Sequence, residues 1–205
     1  MRKAKAMLTR LKAKVQSAIK TQAKAADKLG LTPNTISALG IVLALLSALA
    51  YTGGRQNLLW AVMLLLFSGY CDMLDGALAR LYQKTSPLGG FLDSLLDRYA
   101  DAAIYAGIML GEMCTPQWGL TALAGSLLVS YTRARAEAAG IKMESIGLAE
   151  RAERLIITAA ASIAEVFWKG ALEAGIILLA ALTNLTVLQR SLHVYKALKK
   201  EEKSA

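Results

Sequence analysis

Residues Leu58 to Leu81 read LLWAVMLLLFSGYCDMLDGALARL. No charged side chain interrupts the run before Asp72, and then Asp72, Asp75 and Arg80 follow within nine residues. A helix of this length covers roughly 36 Å, enough to cross the hydrocarbon layer of a bilayer. The stretch therefore predicts a membrane-spanning helix with chemistry gathered at one end. Five more apolar blocks surround it: about Thr35 to Tyr51, about Leu88 to Met113, Gln117 to Tyr131 behind Pro116, about Leu155 to Trp168, and Ala171 to about Val187. With their flanks each reaches roughly 20 residues. The expectation is an all-α polytopic membrane protein with six transmembrane helices, the fifth the weakest because Glu165 sits near its end. At 55% hydrophobic over 205 residues, the chain is neither a disordered polymer nor an ordinary water-soluble domain. No internal repeat is apparent.

Charge sets the expected orientation. The chain holds 24 Lys+Arg against 15 Asp+Glu, a net +9. Nine of the cations lie between Met1 and Gly30, around an apolar stripe of Met7, Leu8, Leu11, Val15, Ala18 and Ile19. That pattern predicts a juxtamembrane amphipathic helix lying on an anionic membrane surface. Its charged region is too long, and lacks the short apolar core, for a signal peptide. With the amino terminus inside, the outer loops hold only Arg55 and Lys169, and the other 22 cations are cytoplasmic. The chain then divides into a surface helix (1–30), a six-helix transmembrane domain (31–195) and a basic cytoplasmic tail (196–205). Both termini and the charged helix ends face the cytoplasm. Because the basic residues cluster at segment ends, nucleic acid is not the expected partner. Cys71 and Cys114 fall near opposite faces, which excludes an intrachain disulfide. A single histidine argues against a His-rich metal centre.

Five aspartates, Asp72, Asp75, Asp93, Asp97 and Asp101, lie within thirty otherwise apolar residues. A carboxylate in a transmembrane helix costs a few kcal/mol, about 3 on the insertion scale, so a group of five needs compensation. Asp72, Asp75 and Ala79 stand at i, i+3 and i+7 on one helix face, and Asp93 and Asp97 at i, i+4 on the next helix. A short turn at Thr85-Ser86-Pro87 makes those helices antiparallel neighbours, with both pairs near the inner surface. Four facing carboxylates repel unless divalent cations sit between them, and oxygen-only ligation suits Mg²⁺ or Mn²⁺. A solvated collar paired with Arg80, Lys84 and Arg98 is the plainer alternative, and Asp101 fits it best. Gly76, Ala79 and Gly89 read either as helix-packing residues or as gaps through which a phosphate approaches the backbone.

The residues from Asp72 to Asp97 match D-x2-D-G-x2-A-R-x8-G-x3-D-x3-D at every fixed position. On this motif and the six-span layout the chain resembles the CDP-alcohol phosphotransferases over most of its length. The resemblance implies transfer from a CDP-linked lipid to an alcohol with release of CMP. It also implies two divalent ions held by Asp72, Asp75, Asp93 and Asp97, with Asp97 as general base. Asp72, Gly76, Ala79 and Arg80 would contact the CDP-lipid, with Thr35 of the Leu31–Thr35 segment close to the cytidine. A homodimer is implied as well.

A second group of residues bears on the acceptor. Arg133, Arg151 and Arg190 are far apart in sequence, yet the topology puts all three at cytoplasmic helix ends. Converging guanidinium groups make a phosphate or carboxylate site; lipid-headgroup anchors are the alternative. The segments Ser130–Glu137 and Gly147–Arg154 resemble those of phosphatidylinositol phosphate synthases and archaetidylinositol phosphate synthases. That likeness implies that Arg133, Arg151 and Arg190 bind the phosphate of inositol 1-phosphate, with CDP-archaeol or CDP-diacylglycerol as donor. Glycerol 3-phosphate is the nearest alternative acceptor. A divalent-cation transporter and a non-catalytic scaffold are readings of other classes. The transporter is disfavoured because the aspartates sit at the membrane edge and no Gly/Pro break occurs mid-span.

Overall fold

The computed structural model describes residues 19–83, 86–143 and 146–202. All regular structure among them is helical. Residues 19–28 are the described part of α1. There follow α2 (Pro33–Thr52), a 3-10 turn (Gly54–Asn57), α3 (Leu58–Leu81), α4 (Pro87–Leu110), α5 (Pro116–Ala138), α6 (Arg151–Phe167) and α7 (Ala171–Glu202). The three prolines of the chain each open a helix, where the missing N–H removes no helical hydrogen bond and the fixed φ fits the first turn. Thr32 caps α2 through its Oγ1, which accepts from the Thr35 amide at 3.2 Å. Gly170, at φ 92°, makes the turn between α6 and α7 in a region that side-chain-bearing residues avoid.

The helices cover most of each apolar block and overrun several of them, while α4 stops at Leu110, short of the expected Met113, where Glu112 turns the chain at φ 56°. α5 continues past Tyr131 to Ala138, and α7 runs unbroken past residue 195 to Glu202. Apart from Thr132, the added residues are Ala, Arg, Glu, Lys and Leu, strong helix formers that need no apolar surroundings. Among the described residues, three stretches are long and apolar enough to cross a membrane: Pro33–Thr52, Gly54–Leu81 and Ala171–Lys200. α4 carries four charges between Asp93 and Asp101, α5 is diluted by Gln117, Thr121, Ser126, Ser130 and Thr132, and α6 has 17 residues. The amphipathic stripe expected between Met1 and Ala18 lies outside the described residues, as do Lys84, Thr85 and Lys203.

The chain divides into two compact units. The first comprises the residues up to Leu43 together with Phe67–Asp97; the second comprises Ala44–Leu66 and the chain from Arg98 onward. In the first, Ala23, Ala26, Ile36, Cys71 and Leu78 form the buried core. There Ser68 Oγ donates to the Gly40 carbonyl at 2.8 Å, which satisfies a hydroxyl that would otherwise be orphaned. In the second, Tyr51, Leu58, Tyr105, Ile108, Leu172, Ile176 and Leu179 pack together, and α7 lies against α5 and α6. Close helix approach there depends on small residues: a Cβ at Gly107 would run into the Ala48 backbone, and one at Gly125 into Thr183. Buried hydroxyls pair across helices, Tyr51 with Ser162 at 2.8 Å and Tyr105 with Ser126 at 3.2 Å.

Outward faces are apolar: Leu39, Val42, Leu46 and Leu49 of α2, and Leu59, Met63 and Phe67 of α3, are exposed. Exposed apolar side chains in this number suit lipid, not water. Glu165 is 4% exposed, and its Oε2 accepts from the Leu172 amide at 3.0 Å. It thereby caps the first turn of α7, at the positive end of that helix's dipole. Both cysteines are free and buried.

Candidate active site

In the first unit, the last three turns of α3 and the first two of α4 assemble the aspartates. Asp72, Asp75 and Asp93 each offer a carboxylate oxygen, and these atoms all lie within 4.8 Å of one another. Asp75 is buried, Asp72 and Asp93 half-buried. From α2, Ser37 Oγ lies 2.5 Å from Asp75 Oδ2 and 3.0 Å from the Pro33 carbonyl, and its one proton goes to the shorter contact. That bond fixes one carboxylate oxygen and leaves the other directed elsewhere. Three carboxylates this close fit a divalent cation: they are hard oxygen donors, and their mutual repulsion is relieved by positive charge between them.

A cavity of about 230 Å³ adjoins the cluster. Pro33, Asn34 and Ser37 form its α2 wall; Asp75, Gly76, Ala79 and Arg80 its α3 wall; Ser86, Gly89, Gly90 and Asp93 its α4 wall. A Cβ at Gly76 would lie 3.2 Å from Arg80 Nη1, so the glycine leaves the guanidinium room to fold over it. At Gly89 the amide donates to Ser86 Oγ at 3.0 Å, and a Cβ would meet that same oxygen. Thr35 does not line this cavity. It is exposed, with its hydroxyl 2.8 Å from that of Thr32. Asp97, one turn beyond Asp93 on α4, is half-buried and stands outside the three-carboxylate group.

The arginines belong to the second unit, and protein groups engage them. Arg133, half exposed on α5, donates from Nε to Glu137 Oε1 at 2.9 Å. Arg190, 2% exposed on α7, gives Nε to the Ile146 carbonyl at 2.8 Å, Nη1 to the Val129 carbonyl at 2.6 Å and Nη2 to Glu150 Oε1 at 3.4 Å. Arg133 and Arg154 are close enough to act on Arg190 electrostatically. Arg151 opens α6, half-buried. The preceding loop is held to α7 at Leu148, whose amide donates to Thr186 Oγ1 at 3.0 Å. Gly147 (φ 125°) takes a conformation that only glycine adopts freely, with Thr186 where a Cβ would point. Arg154 is buried and donates from Nη2 to Asp101 Oδ2 at 2.6 Å and from Nη1 to the Ala149 carbonyl at 3.2 Å. The fifth aspartate thus has an arginine partner of its own.

Residues 30–188 match the profile of the CDP-alcohol phosphatidyltransferase family. The chain belongs to that family. It is 41% identical over 198 residues to the archaetidylinositol phosphate synthase of Pyrococcus horikoshii, covering 96% of this chain and 99% of that one. It is 42% identical over 175 residues to the enzyme of the same name from Methanothermobacter thermautotrophicus, covering 85% and 88%. Among solved structures, the phosphatidylinositol phosphate synthase of Mycobacterium tuberculosis in complex with manganese and citrate is 31% identical and superposes with a TM-score of 0.77, over 86% of this chain and 88% of that one. The same protein with CDP-DAG bound gives a TM-score of 0.75, over 86% and 93%.

Membership makes this chain a transferase of phospholipid synthesis. Within that frame, two features went unread in the sequence. Ser37 is a lone hydroxyl in an apolar helix, which carries no signal until its neighbour Asp75 is known. The Asp101–Arg154 pair joins residues 53 apart, and only the second Arg of the Glu150-Arg151-Ala152-Glu153-Arg154 run hinted at it.

Proposed function

We propose that this enzyme transfers the lipid phosphoryl group of CDP-archaeol or CDP-diacylglycerol to inositol 1-phosphate and releases CMP. The observation that carries the reading is the gathering of Asp72, Asp75 and Asp93 beside a cavity whose walls include Asp75 and Asp93 together with Gly76, Ala79 and Arg80. In this reading Asp72, Asp75, Asp93 and Asp97 hold two divalent ions, Mg²⁺ or Mn²⁺. When bound, the ions supply positive charge for the pyrophosphate and the departing CMP. Asp72, Gly76, Ala79 and Arg80, with Thr35 at the α2 entrance, hold the CDP-lipid; Arg80 faces its phosphates, and the glycine keeps the approach open.

The acceptor hydroxyl oxygen bonds to the lipid-side phosphorus, the bond from that phosphorus to the CMP oxygen breaks, and the hydroxyl proton passes to Asp97. A carboxylate does this work when it is ionised and within hydrogen-bond reach of the hydroxyl. Arg133, Arg151 and Arg190 hold the acceptor phosphate, with Glu137 and Glu150 yielding to it. The names of the archaeal relatives support inositol 1-phosphate as acceptor. The same reading takes α2–α7 as six spans behind an amino-terminal surface helix, with both termini and the site cytoplasmic and the protein a homodimer. The distribution of cations supports that topology.

The test is CMP release by purified protein in lipid, with a CDP-lipid, Mg²⁺ and, in parallel, inositol 1-phosphate, inositol and glycerol 3-phosphate. Release with inositol 1-phosphate alone is expected. Release with glycerol 3-phosphate alone would keep the aspartate chemistry and discard the acceptor. No release with any acceptor would overturn the reading.

A further inference from the structure

The proposed chemistry leaves one buried ion pair unused. Arg154 is 5% exposed and the Asp101 side chain 17%. Desolvation offsets much of the attraction in such a pair, and apolar replacements are often as stable, so what the pair orients matters more than what it stabilises. Arg154 Nη2 meets the carboxylate at 2.6 Å, and Nη1 meets the Ala149 carbonyl at 3.2 Å, while Nε is buried without an acceptor. With Nε unsatisfied, the other two bonds are the compensation this guanidinium receives in the structure.

Ala149, fully buried, stands two residues before Arg151. The loop around it is tied down almost residue by residue: the Ile146 carbonyl and the Glu150 carboxylate to Arg190, the Leu148 amide to Thr186, and the Ala149 carbonyl to Arg154. The α7 ties hold one side of the loop. Arg154 holds the other and is itself oriented by Asp101 of α4. The bond to Ala149 therefore fixes the entry of α6, and with it the direction in which Arg151 leaves the helix.

We propose that Asp101 and Arg154 are positioning residues for the acceptor site, setting the affinity for the phosphorylated acceptor through the 146–150 loop and Arg151. The inference rests on the reading of Arg151 as a phosphate-binding residue. It assigns Asp101 a role apart from the metal-binding aspartates, although it shares their stretch of sequence.

The experiment uses the full chain in lipid. Asp101→Asn, Arg154→Lys and Arg151→Ala are compared for the KM of inositol 1-phosphate, kcat, Mn²⁺ affinity and hydrogen exchange of amides 147–153. Asp101→Asn is expected to raise the acceptor KM about tenfold and to speed exchange in the loop, with kcat within about twofold and Mn²⁺ affinity unchanged. Arg154→Lys retains a charge opposite Asp101 but loses the fork onto Ala149, and should raise KM similarly. If Asp101→Asn does not fold, Arg154→Lys decides. A rise with Arg151→Ala but none with the other two overturns this proposal and leaves the acceptor site standing. No rise with any of the three overturns both. A fall in Mn²⁺ affinity with Asp101→Asn would return that residue to the metal cluster and also overturn the proposal.

Discussion

The aspartate cluster and the arginine region solve opposite electrostatic problems by different means. In the first unit, three carboxylates are crowded within 4.8 Å, an arrangement that favours an added cation. In the second, Arg190 and Arg133 already lean on backbone carbonyls and glutamates, so an anion bound there, as proposed, would have to displace existing partners. A metal site can be built from repulsion held in place by helices. An anion site built of arginines inside a protein must be stabilised while empty, because a buried unpaired guanidinium is costly. Removing a group from the first should therefore abolish binding, whereas in the second it should shift a competition.

The largest effect is expected from Asp93→Asn. Turnover should fall by about 10⁴-fold, equivalent to several kcal/mol of lost charge stabilisation, and Mn²⁺ binding followed by paramagnetic resonance should vanish. Retained Mn²⁺ binding would break the contrast at its root. Asp97→Asn should cost about 10³-fold in kcat while metal-dependent CDP-lipid binding persists, separating proton removal from ligation. Unaltered turnover would remove Asp97 as base. Arg151→Ala should raise the acceptor KM about thirtyfold with CDP-lipid affinity unchanged; a drop confined to CDP-lipid affinity would assign that residue to the other substrate.

Ser37→Ala should weaken Mn²⁺ binding about tenfold, as expected for loss of a group that orients a ligating carboxylate, and Thr35→Ala should leave it in place. Equal effects at both positions would mean that the helix, and not the hydroxyl, matters. The smallest change is expected for Glu150→Gln. Loss of the carboxylate 3.4 Å from Arg190 Nη2 should lower the acceptor KM about threefold. A raised KM would show that Glu150 organises the site more than it competes for it.

What could be read in the chain follows from how local each feature is. The helices were legible because apolar runs of bilayer length have few other meanings, and their ends were misplaced wherever Ala, Glu, Arg and Lys carried a helix beyond its apolar part, as at Ala138 and Glu202. The aspartates were legible because they lie within 26 residues at helical spacing, so two adjacent helices suffice to bring three of them together. On α2 the family resemblance of the Leu31–Thr35 segment drew attention to Thr35, but successive residues turn by about 100°, and Ser37, one turn beyond Pro33, shares the cavity face that Thr35 leaves. The partners of Arg190 were out of reach. They depend on the course of the 146–150 segment, where a carbonyl at Ile146 means nothing until the fold brings it to a residue 44 positions away.

The cap that Glu165 places on α7 bears on how the chain enters the bilayer. On the six-span reading α6 has 17 residues, with Arg151 and Arg154 at one end and a carboxylate near the other. Alone it is a poor candidate for leaving the translocon, since each such charge opposes partitioning. The acceptor that the Leu172 amide needs is only seven residues upstream, so the cost of Glu165 is offset as soon as the next turn of chain emerges. The hairpin of α6 and α7, rather than either helix singly, is then the unit that partitions into lipid during synthesis.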